Sequence, residues 1–324
     1  LITGGLGFIG TNIAIKLLNE KRVNRCILLD NFGGYINPTR NNFYDYRKKR
    51  LDLISNKIIE RCDTTNFKSV SNVINKYKPV LIYHTAALPL AKLDNINSDE
   101  ARLGSVDSTI NIIDSIDLLQ NSKKNYKCER FIYISSSMVY GDFQTNTVNE
   151  NSPKNPKDIY GIMKLAGEIV TEGVCKLKKV PFTIIRPSAV YGPTDMNRRV
   201  SQIFIENAFT NKEIIIEGKN EKLDFTFIED LAKGCVLAGT KKQGINQIFN
   251  ITYGKGQSLY SYVLNLKKLI PNLNYKIKPR DETKPSRGTL SIAKAKKLLG
   301  FKPEFSLKKG IKKYFDFLVK NKIF

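Results

Sequence analysis

Two groups of residues in this 324-residue chain have types and spacings suited to chemistry. The first is Gly4-Gly5-Leu6-Gly7-Phe8-Ile9-Gly10, which reads as GxGxxG through Gly5, Gly7 and Gly10 and as GxxGxxG through Gly4, Gly7 and Gly10. It follows a strand end and opens a helix, the context in which such a glycine pattern carries meaning. Glycines permit the tight turn, the approach of backbone to a pyrophosphate and close helix packing. The helix N-terminus adds unpaired amides and the positive end of a dipole. A diphosphate is therefore the expected ligand, with Phe8 and Ile9 against it. Asp30 ends the second predicted strand, 20 residues beyond Gly10. At that separation a carboxylate accepts the adenosine ribose hydroxyls and repels a 2′-phosphate, so NAD is expected rather than NADP. Asp63 after the third strand, Thr85-Ala86-Ala87 after the fourth, and the neighbours Asn31 and Thr64 fall where the cofactor crosses the carboxyl edge of a sheet.

The second group is Tyr160 and Lys164, four residues apart on a predicted helix and so on one face. A tyrosine with a pKa near 10 is a poor base at neutral pH, but an adjacent ammonium and a positively charged nicotinamide favour its phenolate. Ser135-Ser136-Ser137 ends a buried strand at the same sheet edge and can hydrogen-bond a sugar hydroxyl while Tyr160 removes its proton. A Tyr/Lys pair arises often by chance; beside a dinucleotide site it becomes a candidate catalytic pair.

Composition narrows the classes. Hydrophobic residues make up 41% and charged residues 26% of the chain, values that exclude a disordered or fibrous protein. At a typical ~150 residues per domain, the length suits two domains or a sheet domain with a smaller partner. No apolar run approaches the ~18 residues of a membrane span; the best, 79–91, contains His84. The chain opens at Leu1-Ile2-Thr3-Gly4 without a charged-then-apolar leader, and a few residues of the first strand are expected to precede it. Cys26, Cys62, Cys128, Cys175 and Cys235 lie far apart with no CxxC pair, which points to reduced core thiols in a cytoplasmic protein rather than a zinc site or disulfide framework. His84 is the only histidine, so Ser-His-Asp catalysis and histidine-based metal sites are not expected. The net charge of +23 raises the question of nucleic acid, but the basic residues are spread along the chain rather than clustered. Biased composition is the simpler reading, and no nucleic-acid or membrane partner is expected. Such a surface still concentrates anionic small molecules.

The elements that must position these residues alternate over the first half. Residues 27–29, 80–83, 131–134 and 182–185 read as buried strands, and residues 11–21, 67–77, 106–119 and 160–178 carry apolar side chains at helical spacing. That alternation predicts an α/β fold, a Rossmann-type doubly wound parallel sheet covered on both faces. Residues 33–56 break the rhythm as an excursion between strands. After Arg186 the pattern changes, which predicts an NAD-binding domain over 1–185, with a return segment near 224–252, and a smaller α/β substrate-binding domain over 186–324. Terminal helices are expected at 294–299, capped by Gly300, and at 307–319, where Leu307, Ile311, Tyr314, Phe315 and Leu318 share a docking side.

The glycine loop, Asp30, His84-Thr85-Ala86-Ala87, Ser135-Ser136-Ser137-Met138-Val139-Tyr140-Gly141, Tyr160-Gly161-Ile162-Met163-Lys164 and Arg186-Pro187-Ser188-Ala189-Val190-Tyr191-Gly192-Pro193 resemble the extended short-chain dehydrogenase/reductases that act on nucleotide sugars. So do residues 223–230, Arg287-Gly288-Thr289 and residues 294–300, so that the resemblance spans essentially the whole chain. It implies a C-terminal domain closing a nucleotide-sugar cleft, tightly bound NAD with Pro187 beside it, and a homodimer formed through helices of the first domain. Residue by residue, it implies Ser136 as the catalytic hydroxyl, Tyr160 as the base, and Lys164 as the group that binds the nicotinamide ribose and lowers the tyrosine pKa.

The resemblance also bears on the reaction. Dehydratases of the family carry an Asp-Glu pair after the catalytic Ser/Thr, where this chain has Ser137 and Met138. A thioether cannot remove a carbon-bound proton. Epimerisation at sugar carbon 4 needs only reversible hydride transfer and one base, and is the expected reaction, on a UDP-hexose or UDP-hexuronate through a transient 4-keto sugar. A 4,6-dehydratase or 4-ketoreductase of the same family is the alternative, and a non-catalytic dinucleotide sensor a further one. A family Asn appears here as Ser105, another as Ala189, and an Arg that holds the substrate diphosphate as Leu223. Arg199 and Arg287 are the candidate replacements, with Ser136, Ser137 and Tyr160 as the other expected substrate contacts; Arg198 reads as a surface residue. A carboxylate on Arg199 would favour a uronic acid.

Overall fold

The computed structural model describes residues 1–33, 46–87, 97–197 and 199–323. The first half of the chain runs β1 (Ile2–Thr3), α1 (Phe8–Asn19), β2 (Cys26–Asp30), α2 (Arg47–Asp52), β3 (Lys57–Arg61), α3 (Phe67–Tyr77), β4 (Leu81–His84), α4 (Ser98–Arg102), α5 (Ser108–Ser122) and β5 (Arg130–Ile134). Then come β6 (Thr147–Val148), α6 (Ile159–Leu177), β7 (Phe182–Arg186), β8 (Val190–Tyr191), α7 (Val200–Phe209), β9 (Ile214–Glu217), β10 (Lys222–Leu223), β11 (Thr226–Phe227) and α8 (Ile228–Thr240). The chain closes with β12 (Gln247–Asn250), β13 (Gln257–Ser258), α9 (Leu259–Lys267), β14 (Tyr275–Lys278), β15 (Thr289–Leu290), α10 (Ala293–Leu299) and α11 (Leu307–Lys320).

Seven strands form one sheet in the order β12-β7-β5-β4-β1-β2-β3. Every neighbouring pair is parallel. This is the Rossmann-type doubly wound fold, and its physical cause is visible in β5. Phe131, Ile132, Tyr133 and Ile134 are all buried, with Ile132 and Ile134 packing in a cluster with α1 and α8 residues and Phe131 and Tyr133 in a cluster with α3 and α5 residues. A strand apolar on both faces is stable only with helices on both sides. Thr3 is level with Leu29 on one side and with His84 on the other, so the carboxyl ends of β1, β2 and β4 form one edge. Chain order reverses beside β1, which opens a crevice between the loops after β1 and β4.

A further apolar cluster is built by Tyr191, Phe204, Ile205, Phe225, Tyr262 and Leu266, and α11 docks on it through Leu307, Ile311, Tyr314 and Leu318. Four short two-stranded ladders, β10-β13, β8-β11, β9-β14 and β6-β15, form apart from the main sheet. Gly300 caps α10 in the left-handed region at φ 62°, as the glycine after that helix predicts.

Two features differ from the sequence reading. The helix expected over 106–119 is preceded by α4 and by a wide π-type turn at Leu103–Asp107. The hydroxyls of Ser108 and Thr109 donate back to the carbonyls of Gly104 and Ser105, at 2.9 and 2.7 Å, and so satisfy carbonyls in this turn. Within the excursion at 33–56 lies the short helix α2; residues 34–45 and Arg198 lie outside the described residues. All five cysteines are free and buried. No helix among the described residues is long and apolar enough to cross a membrane, and no cluster of His, Cys, Asp or Glu among them could hold a metal.

Candidate active site

The crevice beside β1 is a cavity of about 500 Å³. Gly4, Gly7, Phe8 and Ile9 line it from the first loop, Asp30, Asn31, Asp63 and Thr64 from the ends of β2 and β3, and Thr85, Ala86 and Ala87 from the end of β4. Ser136, Tyr160, Lys164, Pro187 and Arg199 line it from the other side. Residues far apart in sequence thus converge because parallel strands bring all their following loops to one edge.

The glycine loop fits a diphosphate. Gly4 has φ 63°, and the Gly7 amide donates to the Gly4 carbonyl at 2.9 Å. Gly7 precedes α1 and has no side chain to cap it, so the first amides of the helix receive no capping side-chain bond from that position. A Cβ on Gly10 would lie 2.5 Å from the Gly4 carbonyl oxygen and 3.0 Å from Thr85 Oγ1, so this first turn accepts glycine alone without moving its neighbours. Gly10 does not line the cavity; it acts by letting α1 approach the loop. Asp30 accepts the amides of Leu6 at 3.1 Å and Phe32 at 2.9 Å, which sets its carboxylate against the glycine loop with lone pairs left for ribose hydroxyls. The residues fit NAD.

His84 is neutral. It lies between Thr3 Oγ1 at 2.7 Å and Ser108 Oγ at 3.3 Å, and burial with the nearby Lys164 charge pushes its pKa down to about 3. It joins β1 to α5 and does not line the cavity.

On the other side, Asp158 caps α6 by accepting the Gly161 amide at 2.7 Å, which starts the helix just before Tyr160. Ser136 Oγ accepts the Met138 amide at 3.2 Å and keeps its own proton to donate. Lys164 Nζ donates to the Ile134 carbonyl at 2.8 Å and lies 5.9 Å from the Tyr160 ring centre. Burial lowers the Lys164 pKa to about 8, with the Glu168 charge acting against it. Burial raises the Tyr160 pKa, while the Ser136 hydroxyl and the positive field of Arg199 pull it back. Arg199 lies 5.9 Å over the Phe8 ring, and its Nη2 is 3.3 Å from Asp195 Oδ1. Its Nε is buried with no partner among the described residues, leaving a donor for an anion.

Ser137 and Arg287 are placed elsewhere. Ser137 opens a buried 3₁₀ turn, its amide bonded to the Pro187 carbonyl at 2.8 Å. Arg287 is held in the fields of Asp158 and Glu221, and desolvation lowers its pKa to about 10; its Nε too lacks a partner among the described residues. Ser105 is buried in the π-type turn, Leu223 in the apolar cluster beside Phe225, and Ala189 lines the cavity at φ 38°. None offers a polar side chain to a diphosphate in the way an Asn or Arg does. The sequence reading did not anticipate Arg50, which lines the cavity from α2 and whose guanidinium reaches the Thr194 carbonyl at 3.4 Å and Met196 Sδ at 3.3 Å. Nor did it anticipate Leu103 and Gly104 of the π-type turn, although a glycine inside a helical run is the signal that marks such a break.

Comparison with known proteins agrees with this geometry. The sequence profile of the NAD dependent epimerase/dehydratase family matches residues 1–252. A putative UDP-glucose 4-epimerase of Methanocaldococcus jannaschii is 31% identical, with 99% of this chain and 98% of the relative covered. Human dTDP-D-glucose 4,6-dehydratase is 26% identical over 99% of this chain and 90% of the relative. The crystal structure of UDP-glucuronic acid 4-epimerase from Bacillus cereus, in complex with UDP-glucuronic acid and NAD, superposes with a TM-score of 0.85 at 25% identity, covering 99% of this chain and 98% of that one. With the glycine loop, the edge carboxylate and the Tyr160–Lys164 helix at one sheet edge, this chain belongs to the NAD-dependent epimerase/dehydratase family.

Proposed function

We propose that the protein is an NAD-dependent UDP-sugar 4-epimerase with Ser136, Tyr160 and Lys164 as its catalytic residues. The observation that carries this reading is that Tyr160 lines the cavity together with Ser136 and Lys164, while the position that bears a dehydratase's glutamate holds the buried thioether of Met138. Ser136 donates to the sugar 4-oxygen and orients it. Tyr160 takes the 4-hydroxyl proton and later returns it. Lys164, fixed by the Ile134 carbonyl, contributes positive charge and a donor for the nicotinamide ribose. NAD bound on the glycine loop accepts hydride from carbon 4 and gives it back, so no net oxidation results. The sugar must present its opposite face between the two transfers, and the small side chain of Ala189 leaves room at the cavity wall.

Arg199 supports a uronic acid as the sugar, because a guanidinium holds a carboxylate bidentately. Arg287 stands off the wall of this cavity, and only its buried Nε, unpartnered among the described residues, supports a diphosphate grip from the C-terminal side. The division of labour we infer is NAD binding by residues 1–185 with 224–252, and nucleotide-sugar binding by 186–324. Leu118 on α5 and Ile162, Ile169 and Leu177 on α6 are 53%, 44%, 66% and 84% exposed, which supports a homodimer through these helices. Five buried thiols support a reducing, cytoplasmic setting.

The test is incubation of the purified protein with UDP-glucose, UDP-glucuronate and their acetamido analogues, without added cofactor, following the proton at carbon 4 by NMR. Inversion without NADH accumulation supports the epimerase and identifies its sugar. A 4-keto or deoxy product would move the assignment to a dehydratase or reductase, and silence with every donor would favour a sensor.

A further inference from the structure

Behind the candidate catalytic pair runs a buried polar chain that the reaction itself does not use. Glu168 lies one turn beyond Lys164 on α6. Its Oε1 accepts from Ser135 Oγ and from Arg186 Nε at 2.8 Å, and its Oε2 accepts from Arg186 Nη2 at 2.6 Å. Arg186 Nη1 donates to Tyr140 Oη at 2.9 Å and to the Glu150 carbonyl at 3.0 Å, and Tyr140 donates to Asn250 Oδ1 at 2.8 Å. Glu168 and Arg186 are 4% and 1% exposed. An apolar pair of similar volume would be as stable or more so, because desolvating two charges offsets their attraction. Stability therefore does not account for the pair, but its position can. Ser135 precedes Ser136, Arg186 precedes Pro187, and Glu168 follows Lys164 by one turn, so a single carboxylate ties together three segments that line the cavity.

We propose that Glu168 is the positioning residue of the Tyr160–Lys164 pair, fixing through Ser135 the turn that carries Ser136 and holding Lys164 in its working form through its charge. This rests on the assignment of that pair to the reaction. Around Lys164 stand Tyr160 and Glu168 from α6, Tyr133 from β5 with its ring 5.1 Å from Nζ, and neutral His84 from β4. Among these groups Glu168 is the one carboxylate.

The experiment compares Glu168→Gln and Glu168→Asp by kcat and KM across pH with the sugar nucleotide the protein turns over. Glu168→Gln lowers kcat by roughly 10²-fold with KM nearly unchanged. It also moves the alkaline limb of the profile down by about one pH unit, because Lys164 loses its proton sooner. Glu168→Asp keeps the charge but shortens the reach to Ser135, so kcat falls while the limb stays in place. A Gln variant with an unmoved limb, or an Asp variant with wild-type kcat, would overturn the proposal. If Glu168→Gln does not fold, the Asp variant decides alone. Tyr160→Phe run alongside separates the two readings: if it stays active, the pair assignment has failed rather than the role of Glu168.

Discussion

Tyr160 is surrounded by groups that pull its proton affinity in opposite directions. Desolvation holds the proton on; the Ser136 hydroxyl and the Arg199 charge ease it off. Removing the phenolic oxygen leaves the cavity shape intact, so Tyr160→Phe should lose on the order of 10³-fold in kcat while retaining NAD, read by turnover and by cofactor released on denaturation. Arg199→Ala should act on the sugar. It should lower kcat/KM for UDP-glucuronate by roughly 10²-fold more than for UDP-glucose, because a hydrogen-bonded ionic contact is lost with one donor and not the other. An equal loss with both would place Arg199 at the diphosphate or the base instead. These residue types were legible in the chain. That the charge of Arg199 reaches the Tyr160 phenol was not, since Arg199 sits at the start of α7, 39 residues beyond Tyr160 in the chain.

Among the elements, the turn from β1 into α1 depends most on its backbone. Gly10→Ala would place a Cβ 2.5 Å from the Gly4 carbonyl oxygen, with backbone on one side and Thr85 Oγ1 at 3.0 Å on the other. The helix start must shift, at a cost of about 1–3 kcal/mol. The expected outcome is a lower melting temperature and loss of copurified NAD together, measured by thermal unfolding and by absorbance of the released nucleotide. The glycine spacing made this element readable from sequence, because the period of glycines maps directly onto one turn. The π-type turn at Leu103–Asp107 carried a single sequence signal, Gly104 inside a helical run. Its cause is local competition, with the Ser108 and Thr109 hydroxyls taking carbonyls that a regular helix would bond through its amides.

At the scale of the whole molecule, Asp224 gathers three stretches of chain. It accepts from Thr252 Oγ1, the Gly254 amide and the Leu290 amide, each at 3.1 Å. Burial nevertheless raises its pKa from 3.8 to about 6. A carboxyl whose folded pKa lies above its unfolded value stabilises fully below the unfolded value and loses that contribution as pH rises through about 6. The amount is on the order of 3 kcal/mol. The stability difference between wild type and Asp224→Asn should therefore shrink from pH 4 to pH 7 in denaturant titrations, and a difference independent of pH would sink the idea.

What the sequence determined by itself is the repeating order of buried strand and amphipathic helix, the glycine turn before α1, the carboxylate at the end of β2 and the family. Each depends on residues close together in the chain or on a fixed spacing. The tertiary structure decided which distant residues meet. It left Ser137 and Arg287 off the cavity wall, brought Arg50, Leu103 and Gly104 onto it, set Arg199 over Phe8, and buried Glu168 with Arg186 behind Lys164. Such contacts follow from how whole layers pack against a twisted sheet, and no local pattern of residue types encodes them.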